Sequence, residues 1–265
     1  MTAEQKKRLA LFLDLSGDYL RDGYKQAREE YRFIDDEEMP PRGTEVQETG
    51  TLPMETGHAG GSARPAERGI DSLEAVEEEI RGCTRCPLHK TRTLAVPGEG
   101  VKRPLALVIG EGPGAEEDAS GRPFVGKAGQ LLDRMLSSVN LSRERNCFII
   151  NVVKCRPPNN RDPLPEEIVP CGSFLSRQLR ILKPLVLLSA GRVSTQTLLN
   201  TSEGIGRLRG RFAEYSGLPL LPTYHPSALL RDASLKRPVW EDLKLLRGKL
   251  TELDKHYALE IAEGT

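Results

Sequence analysis

The chain has 265 residues, of which 38% are hydrophobic, and its 38 basic side chains balance its 38 acidic ones. This length and hydrophobic content suit a single well-packed core with a small additional element, and they leave little room for two full domains. This balance of charge excludes a strongly basic chain that binds nucleic acid through charge alone. Residues 71–265 hold 28 basic and 24 acidic side chains, which is a mild positive bias.

No segment of the sequence is long and apolar enough to span a membrane. The apolar stretch at residues 9–15 is short and is interrupted by Asp14, so it also fits a secretory signal poorly. We therefore expect a soluble protein of the cytoplasm that has no membrane partner. Because disulfides are rare in that reducing compartment, ligation of a metal or a cluster is the natural explanation for the five cysteines.

The first 70 residues differ in composition from the rest. Apolar residues recur at roughly helical spacing among many charges over residues 4–34, which predicts one amphipathic helix. Residues 35–69 are rich in Pro, Gly, Glu, Thr and Ser and almost lack large apolar side chains, as in a flexible linker. We predict an N-terminal extension, residues 1–70, whose helix is either a solvated tail or a site for a protein partner.

Residues 71–265 carry the alternating pattern of a folded domain. Four apolar runs have the length and β-branching of buried strands: residues 105–109, 148–153, 185–189 and 218–223. Helical spacing occurs between and around them, at residues 72–81, 126–139, 165–182, 192–199 and 240–253. Strands that alternate with helices predict an α/β domain whose parallel sheet is covered on both faces, with ligands bound beyond the carboxyl ends of the strands.

Four of the five cysteines fall into two pairs. Cys83 and Cys86 form a C-x-x-C pair after the first helix of the domain, and Cys155 and Cys171 follow the second predicted strand in what we expect to be an irregular loop. Four thiolates suit a tetrahedral zinc ion or a cubane iron-sulfur cluster, and spacing alone does not separate the two. Flanking prolines make four unrelated buried cysteines a poorer explanation. Cys147 directly precedes an apolar run and is interpreted as a buried strand residue.

A glycine-rich, acidic turn follows the first predicted strand, at residues 110–118. It lacks the spacing of a dinucleotide fingerprint, and no Gly-Lys-Ser/Thr follows as in a phosphate-binding loop. Its carboxylates would repel a phosphate, so they are better suited to act on a developing cation or on a water molecule. An ordinary glycine turn with solvated acidic residues is the alternative.

Two further side chains are candidates for contact with a base. Phe124 is held between Pro and Gly residues just before a predicted helix, where it could stack on a base or belong to the core. Asn151 lies within a run of strand apolars, and its amide has the donor and acceptor needed to match the edge of a pyrimidine. Capping of local backbone is the other explanation for Asn151.

The loop after the fourth predicted strand combines a histidine with a hydroxyl, two apolar side chains and an arginine. His225 could donate to developing negative charge, and a leucine could wedge into a base stack. The remaining members of the set are Ser227, Leu229, Leu230 and Arg231. A lone histidine would be weak evidence, whereas this combination at the expected ligand end of the sheet favours a functional site.

Taken together, these motifs resemble the iron-sulfur uracil-DNA glycosylases usually called family 4. The family's G-E-x-P-G turn matches residues 110–114, its G-R-P-F-V-G-x-A-G element residues 121–129, its N-V-x-K-C-R-P segment residues 151–157, and its H-P-S motif residues 225–227. The resemblance covers about residues 73–250, and the paired cysteines fall where the family binds its cluster. This chain has Gly112 where the family usually has Ala, so we expect one methyl fewer beside the pocket.

The resemblance implies a three-layer α/β/α fold with a central four-stranded, mainly parallel sheet. It implies a monofunctional enzyme that flips uracil out of DNA and hydrolyses its N-glycosidic bond, which leaves an abasic site and initiates base excision repair. The substrate would be uracil-containing DNA, double- or single-stranded, and the enzyme a cytoplasmic monomer that is nucleoid-associated when on DNA. A structural 4Fe-4S cluster would be held by Cys83, Cys86, Cys155 and Cys171.

The resemblance also implies a uracil pocket built from four of the candidates. Phe124 would stack on the flipped base, and Asn151 would read its Watson–Crick edge and reject cytosine. Glu117 would stand against the C5 edge and exclude the methyl group of thymine. Gly112 would border the pocket.

Catalysis and DNA contact are implied for the remaining candidates. His225 would stabilise the uracil anion as the bond breaks, while Glu111 would support the cationic sugar and position water. Ser227 would contact a phosphate. The gap that the base leaves in the duplex would be filled by the loop that carries Leu229, Leu230 and Arg231.

Two other functions stay open from the sequence. A non-catalytic, metal-containing nucleic-acid-binding module would keep the cysteines, and replacing Glu111 or His225 in it would remove no activity. A zinc protein of the same fold would lack the visible absorption of an iron-sulfur cluster. Among related glycosylases, a type that bonds covalently to DNA is disfavoured because its K-R-R-I-H loop is absent, and a type with an Ala-rich motif is disfavoured by Glu111.

Overall fold

The computed structural model describes residues 71–263, and every element below belongs to this part of the chain. The N-terminal extension, including the helix predicted over residues 4–34 and the linker predicted over residues 35–69, lies outside the described residues. Among the residues that are described, no helix combines the length and the apolar character needed to cross a membrane.

Helices and short strands alternate along the described chain. The helices are α1 (Leu73–Arg81), α2 (Ala115–Ser120), α3 (Lys127–Ser137), α4 (Pro165–Leu182), α5 (Arg192–Leu199), α6 (Ile205–Leu208), α7 (Pro226–Arg231), α8 (Lys236–Leu253) and α9 (Lys255–Glu263). The strands are β1 (Glu99–Gly100), β2 (Ala106–Gly110), β3 (Cys147–Asn151), β4 (Val186–Ala190), β5 (Ala213–Tyr215) and β6 (Leu218–Thr223). Short 3-10 helices occupy Pro87–Lys90, Pro158–Asn160 and Ala233–Leu235.

The six strands form one mixed sheet in the order β1-β3-β2-β4-β6-β5. Its four inner strands run parallel and correspond to the four predicted apolar runs. The prediction of an α/β fold is therefore confirmed, but the prediction of a four-stranded sheet is wrong, because β1 and β5 add antiparallel edges. These two edge strands have only two and three residues, too few for an alternating pattern to reveal them.

Side chains of the inner strands alternate between two hydrophobic cores, one on each face of the sheet. Ala106 and Val108 of β2 point into a core that includes residues of α3 and α8. Leu107 and Ile109 point the other way, into a core that includes residues of α1 and α4. Every residue of β2, β3 and β4 is buried. Helices therefore cover both faces, which gives three layers.

The helices predicted within residues 71–263 are present, and all but one have the expected ends to within two residues. α1 begins after Ser72, whose hydroxyl accepts the Ala75 N–H at 3.1 Å. α8 begins at Lys236, four residues before the predicted start, because Pro238 fits in its first turn, where no intrahelical bond is lost. α2 and α7 are six residues long, too short for a periodic pattern to indicate them.

The carboxyl ends of the four inner strands lie at one edge of the sheet. β2 ends at Gly110, opposite Asn151 at the end of β3, and β4 ends at Ala190, opposite Thr223 at the end of β6. Open α/β sheets bind ligands in the crevice outside such ends. The parallel register thus brings the glycine-rich turn, the segment after β3 and the histidine loop to the same place.

Candidate active site

A cleft of about 560 Å³ opens at this edge of the sheet. It is lined by Glu111, Phe124, Asn151 and His225, four of the side chains for which the sequence predicts chemistry or base contact. They come from the turn after β2, the segment before α3, the end of β3 and the start of α7. Four more candidates line the same cleft: Gly112, Glu117, Ser227 and Arg231.

Phe124 has a backbone conformation that residues other than glycine rarely adopt. Its φ is +52°, in the left-handed region, and the residue is only 6% exposed. The centroid of its ring lies 5.5 Å from that of the His225 ring. The Phe124 backbone presses against Gly129 of α3, where a Cβ would lie 1.8 Å from the Phe124 carbonyl oxygen. Gly129 is therefore required for the close approach of α3 to this segment.

Arg143, which the sequence analysis does not single out, fixes the same segment. Its guanidinium donates to the carbonyl oxygens of Pro123 and Phe124, both at 3.0 Å, and pairs with Asp133 at 2.8 Å. The side chain is buried, so these charge-assisted hydrogen bonds are strong. Residues 142–145 form a short, highly charged stretch that is typical of a solvated loop, which explains why no sequence pattern indicates this role.

Asn151, the last residue of β3, is buried, and its side-chain oxygen Oδ1 has no hydrogen-bond partner among the described residues. A Cβ at Gly110 would lie 2.4 Å from this oxygen and 2.6 Å from the Phe124 ring, so only glycine allows both side chains to lie against the end of β2. A buried acceptor without a partner costs about 1–3 kcal/mol. Its position in the cleft leaves this oxygen available to an N–H of a ligand.

His225 precedes α7, and its Nδ1 is already engaged by Ser227. Nδ1 accepts the backbone N–H of Ser227 at 3.2 Å and the Ser227 hydroxyl proton at 2.7 Å. Because a ring nitrogen that accepts hydrogen bonds carries no proton, the neutral ring carries its proton on Nε2. Burial lowers the pKa of His225 to about 4, the charge of Arg231 contributes in the same direction, and Glu117 opposes. The imidazole is therefore a neutral donor through Nε2 at neutral pH.

Glu111 has a carboxyl group that exchanges its proton near neutral pH. Burial raises its pKa to about 7, and the negative charge of Asp162 adds to this effect, while Arg192 opposes it. Asp162 also lines the cleft and forms an ion pair with Arg192 at 2.5 Å. Neither residue is indicated by the sequence, since both lie far from Glu111 along the chain.

Glu117 lines the cleft, but its carboxylate is engaged by the backbone. One oxygen accepts the N–H of Gly114 at 3.0 Å, and the other accepts those of Val125 and Gly126 at 2.9 and 3.1 Å. These bonds tie the N-terminus of α2 to the segment that follows Phe124. Only contact with the base is expected for Glu117 from the sequence, so this structural role is a finding of the fold.

A separate cavity collects the paired cysteines: Cys83, Cys86, Cys155 and Cys171. None of them forms a disulfide. Three cationic side chains line the same cavity, namely Arg85, Arg92 and Lys154. Arg92 donates to Sγ of Cys155 at 3.0 Å. Cys147 lies elsewhere, buried in β3, and burial raises its thiol pKa.

The chemistry of the cysteine cavity fits a cluster of negative net charge. Thiolates are the ligands of iron-sulfur clusters, and the surrounding cations would balance the charge. Within residues 71–263, no three His, Cys, Asp or Glu side chains converge into a site for a single metal ion. Cys171 lies on α4 and not in an irregular loop as predicted, because the helix continues through Pro170.

Comparison with known proteins identifies the family. The model of the uracil DNA glycosylase superfamily matches residues 97–244, which include the whole cleft. The chain belongs to this superfamily. The Type-4 uracil-DNA glycosylase of Saccharolobus solfataricus is 42% identical over 69% of this chain and 88% of the relative. Those of Sulfurisphaera tokodaii and Thermotoga maritima are 41% and 45% identical, over 72% and 65% of this chain and 90% and 91% of the relatives.

These matches confirm the resemblance to family 4, in which Gly112 is the position where we expected a glycine in place of alanine. A Cβ at Gly112 would lie 2.8 Å from Cγ2 of Val153 and 3.7 Å from Pro157. Gly112 and Pro157 both line the cleft, so a methyl group here would border the cleft and also press on the buried Val153. The expectation of one methyl fewer beside the pocket stays a prediction.

The two leucines of α7 have different surroundings. Leu229 is 1% exposed and belongs to the core beneath α7, whereas Leu230 is partly exposed and packs against the border of that core. The proposal of a wedge is therefore wrong for Leu229 in this conformation, because exposing it would open the core. Leu230 stays a candidate, and Arg231 of the same helix lines the cleft.

The contact between Gly129 and Phe124 predicts opposite effects for one substitution at two helical glycines. Gly129→Ala should lower the free energy of unfolding by roughly 1–3 kcal/mol, because the new Cβ must displace the Phe124 backbone. Gly248→Ala, in α8, should raise it by about 0.5–1 kcal/mol, since nothing lies within 4 Å of its Cβ. Chemical unfolding measures both, and equal effects would contradict the proposed contact.

Proposed function

We propose that this chain is a monofunctional uracil-DNA glycosylase, which flips uracil out of DNA, hydrolyses its N-glycosidic bond and leaves an abasic site for base excision repair. The observation that carries the proposal is the unpaired, buried Oδ1 of Asn151, which lies beside the Phe124 ring at the end of β2. Relatives named Type-4 uracil-DNA glycosylase support it. Strongly shifted pKa values are typical of catalytic groups, so the raised pKa of Glu111 favours an enzyme over a non-catalytic module.

Base recognition in this proposal depends on the Asn151 amide. Its unpaired oxygen would accept the N3–H of uracil, and its amide N–H would donate to the oxygen at C4. Cytosine has an acceptor at N3 and an amino group at C4, so both contacts would bring like groups together. Stacking on the rigid Phe124 ring would contribute about 1–3 kcal/mol, which offsets part of the few kcal/mol needed to flip the base.

Exclusion of thymine falls to Glu117 in this proposal, with the backbone of Gly112 as the neighbouring border of the pocket. Three backbone N–H groups hold the Glu117 carboxylate in place. A side chain fixed in this way does not move aside for a methyl group, and overpacking of a rigid wall costs about 1–3 kcal/mol. The carboxylate would therefore select against a substituent at C5.

Cleavage of the bond to the base separates charge, and the cleft has a group suited to each side. The neutral His225 would donate its Nε2–H to the uracil oxygen on which negative charge develops. Glu111, in its ionised form, would stabilise the cationic sugar and orient the attacking water. Because the two groups have pKa values near 4 and 7, both are in these forms above pH 7.

DNA contact is proposed for the cationic border of the cleft. Arg231 and Lys127 line it and would bind phosphates, while Leu230 would fill the gap left by the base. Ser227 is also a candidate for phosphate contact. Its hydroxyl proton is directed to His225, so its first role here is to fix the histidine tautomer. Both double- and single-stranded DNA fit this arrangement.

We further propose that Cys83, Cys86, Cys155 and Cys171 hold a 4Fe-4S cluster. The fit rests on the four free thiols and the three cations of one cavity. When bound, the cluster would act as a structural cross-link between the end of α1, the segment after β3 and α4. It would lie outside the cleft and take no part in bond cleavage.

Three further expectations extend the proposal to the cell. We expect a monomer in the cytoplasm that is nucleoid-associated when it is bound to DNA. A protein partner for residues 1–70 stays a prediction, since those residues lie outside the described part of the chain.

The function is tested with an oligonucleotide that contains one deoxyuridine, followed by alkaline cleavage of abasic sites. Strand scission should appear with uracil and not with thymine. Asn151→Ala should lower kcat/KM by about tenfold to a hundredfold through loss of the base contacts. His225→Ala should lower kcat by roughly a hundredfold to a thousandfold through loss of the donor to the leaving group.

A matched control separates these effects from loss of a histidine in general. His256→Ala removes an exposed histidine of α9, far from the cleft along the chain, and should leave the rate unchanged. No scission by the wild-type protein would refute the function, whereas scission that survives both cleft substitutions would refute only the assigned residues.

The pH dependence of kcat/KM tests the role of Glu111. The rate should rise about tenfold per pH unit up to a plateau above pH 7, because the ionised carboxylate is required. Asp162→Asn removes a negative charge that raises the Glu111 pKa, so the inflection should move to lower pH. Glu144→Gln removes an exposed charge that no structural observation connects to the cleft and should leave the inflection in place. An inflection unmoved by Asp162→Asn would contradict this assignment.

The cofactor is tested by visible absorption and metal analysis of the purified protein. The wild type should be coloured and contain iron, and Cys83→Ser or Cys171→Ser should remove the colour. Cys147→Ser is the matched control, because this thiol is buried in β3 and should not affect the absorption. A colourless wild type with one equivalent of zinc would instead identify the zinc protein.

A further inference from the structure

Lys154 places a buried ammonium group between the cysteine cavity and the cleft. Its side chain is 1% exposed and lines the cysteine cavity, next to Cys155 in sequence. Its Nζ turns back and donates to the carbonyl oxygen of Asn151 at 2.8 Å. A single side chain therefore touches the proposed cluster site and the residue that would read the base.

This ammonium lacks the carboxylate partner that a buried cation normally has. No acidic side chain of residues 71–263 forms an ion pair with Lys154, although the other buried cation near the cleft, Arg143, pairs with Asp133. A buried charge persists only when an opposite charge or several hydrogen bonds compensate it. With the proposed cluster bound, its four cysteine ligands and its negative net charge would supply that opposite charge.

The backbone around Lys154 leaves little freedom for independent movement. Its carbonyl oxygen accepts the N–H of Val96 at 2.7 Å, and the N–H of Val153 donates to the carbonyl oxygen of Glu111 at 3.1 Å. The segment from Asn151 to Cys155 is thus attached to the turn that carries Glu111. Close packing means that a displacement at one end of such a segment reaches the other.

We propose that Lys154 is a positioning residue that couples the cluster to uracil recognition. The negative cluster holds the ammonium in place, and the ammonium holds the Asn151 carbonyl, which sets the direction of the Asn151 amide in the cleft. This inference rests on the proposed function and adds to it a dependence of base binding on the cluster. Lys154 touches neither the base nor the reacting atoms.

The test compares Lys154→Met with Arg85→Met in the cluster-loaded, full-length enzyme. Arg85 lines the same cavity but contacts Ser173 and the Phe174 ring, not Asn151. Both substitutions remove one positive charge near the cluster and should lower its reduction potential, more so for the buried Lys154. Visible absorption reports retention of the cluster, and a redox titration reports the potential.

Base recognition is measured separately, with free uracil as a competitive inhibitor of the excision reaction. Lys154→Met should weaken uracil inhibition by about tenfold, since the Asn151 carbonyl loses a charged donor, and should raise KM more than it lowers kcat. Arg85→Met should leave uracil inhibition unchanged. Lys154→Arg, which keeps the charge and a donor, should recover most of the uracil affinity and of the reduction potential.

The outcomes separate this inference from the proposed function. A wild-type protein that releases no uracil refutes the function itself. An active, coloured wild type whose Lys154→Met variant keeps its colour and binds uracil as tightly as Arg85→Met refutes the coupling alone. Loss of the cluster in Lys154→Met with unchanged uracil affinity also refutes the coupling, whereas loss of both cluster and uracil affinity, with both retained in Lys154→Arg and Arg85→Met, supports it.

Discussion

The parallel register of β2 and β3 is the constraint on which the site depends. It sets Gly110 opposite Asn151, and the absent Cβ of Gly110 leaves the space in which the Asn151 amide and the Phe124 ring both lie. A shift of one residue would turn Asn151 toward the opposite face of the sheet and place an apolar side chain in the cleft. The buried strands, which pack on both faces, make such a shift very unfavourable.

Several features of the cleft lower the stability of the fold. Phe124 has a left-handed backbone, and Asn151 keeps an unpaired acceptor. The pKa of Glu111 is about 7 in the folded protein and 4.5 for an ordinary glutamate, so between pH 4.5 and pH 7 the folded state binds a proton that the unfolded state releases. Stability from this group is therefore complete below pH 4.5 and is lost as the pH rises toward 7. Surrounding bonds, such as those of Arg143, offset these costs.

The sequence predicted the cleft residues that follow strand ends and missed those that act across the chain. Glu111 and Asn151 could be placed because apolar runs precede them and parallel strands end at one edge. The segment containing Arg143 reads as a charged loop, and only the folded backbone brings its guanidinium to the Phe124 carbonyl. The difference between Leu229 and Leu230 depends on the rotation of a six-residue helix, which no periodic pattern fixes.

The segment that follows β3 connects the two cavities, and because it is short, the proposed cofactor would be able to affect base recognition. Val152 and Val153 continue the pairing of β3 beyond the strand, through bonds to the carbonyl oxygens of Gly110 and Glu111. The next two residues after Val153, Lys154 and Cys155, line the cysteine cavity. A displacement of the thiols therefore reaches Glu111 and Asn151 together, because no flexible loop lies between them. Under this proposal, the cysteine cavity would influence base binding although it lies outside the cleft in which the bond is cleaved.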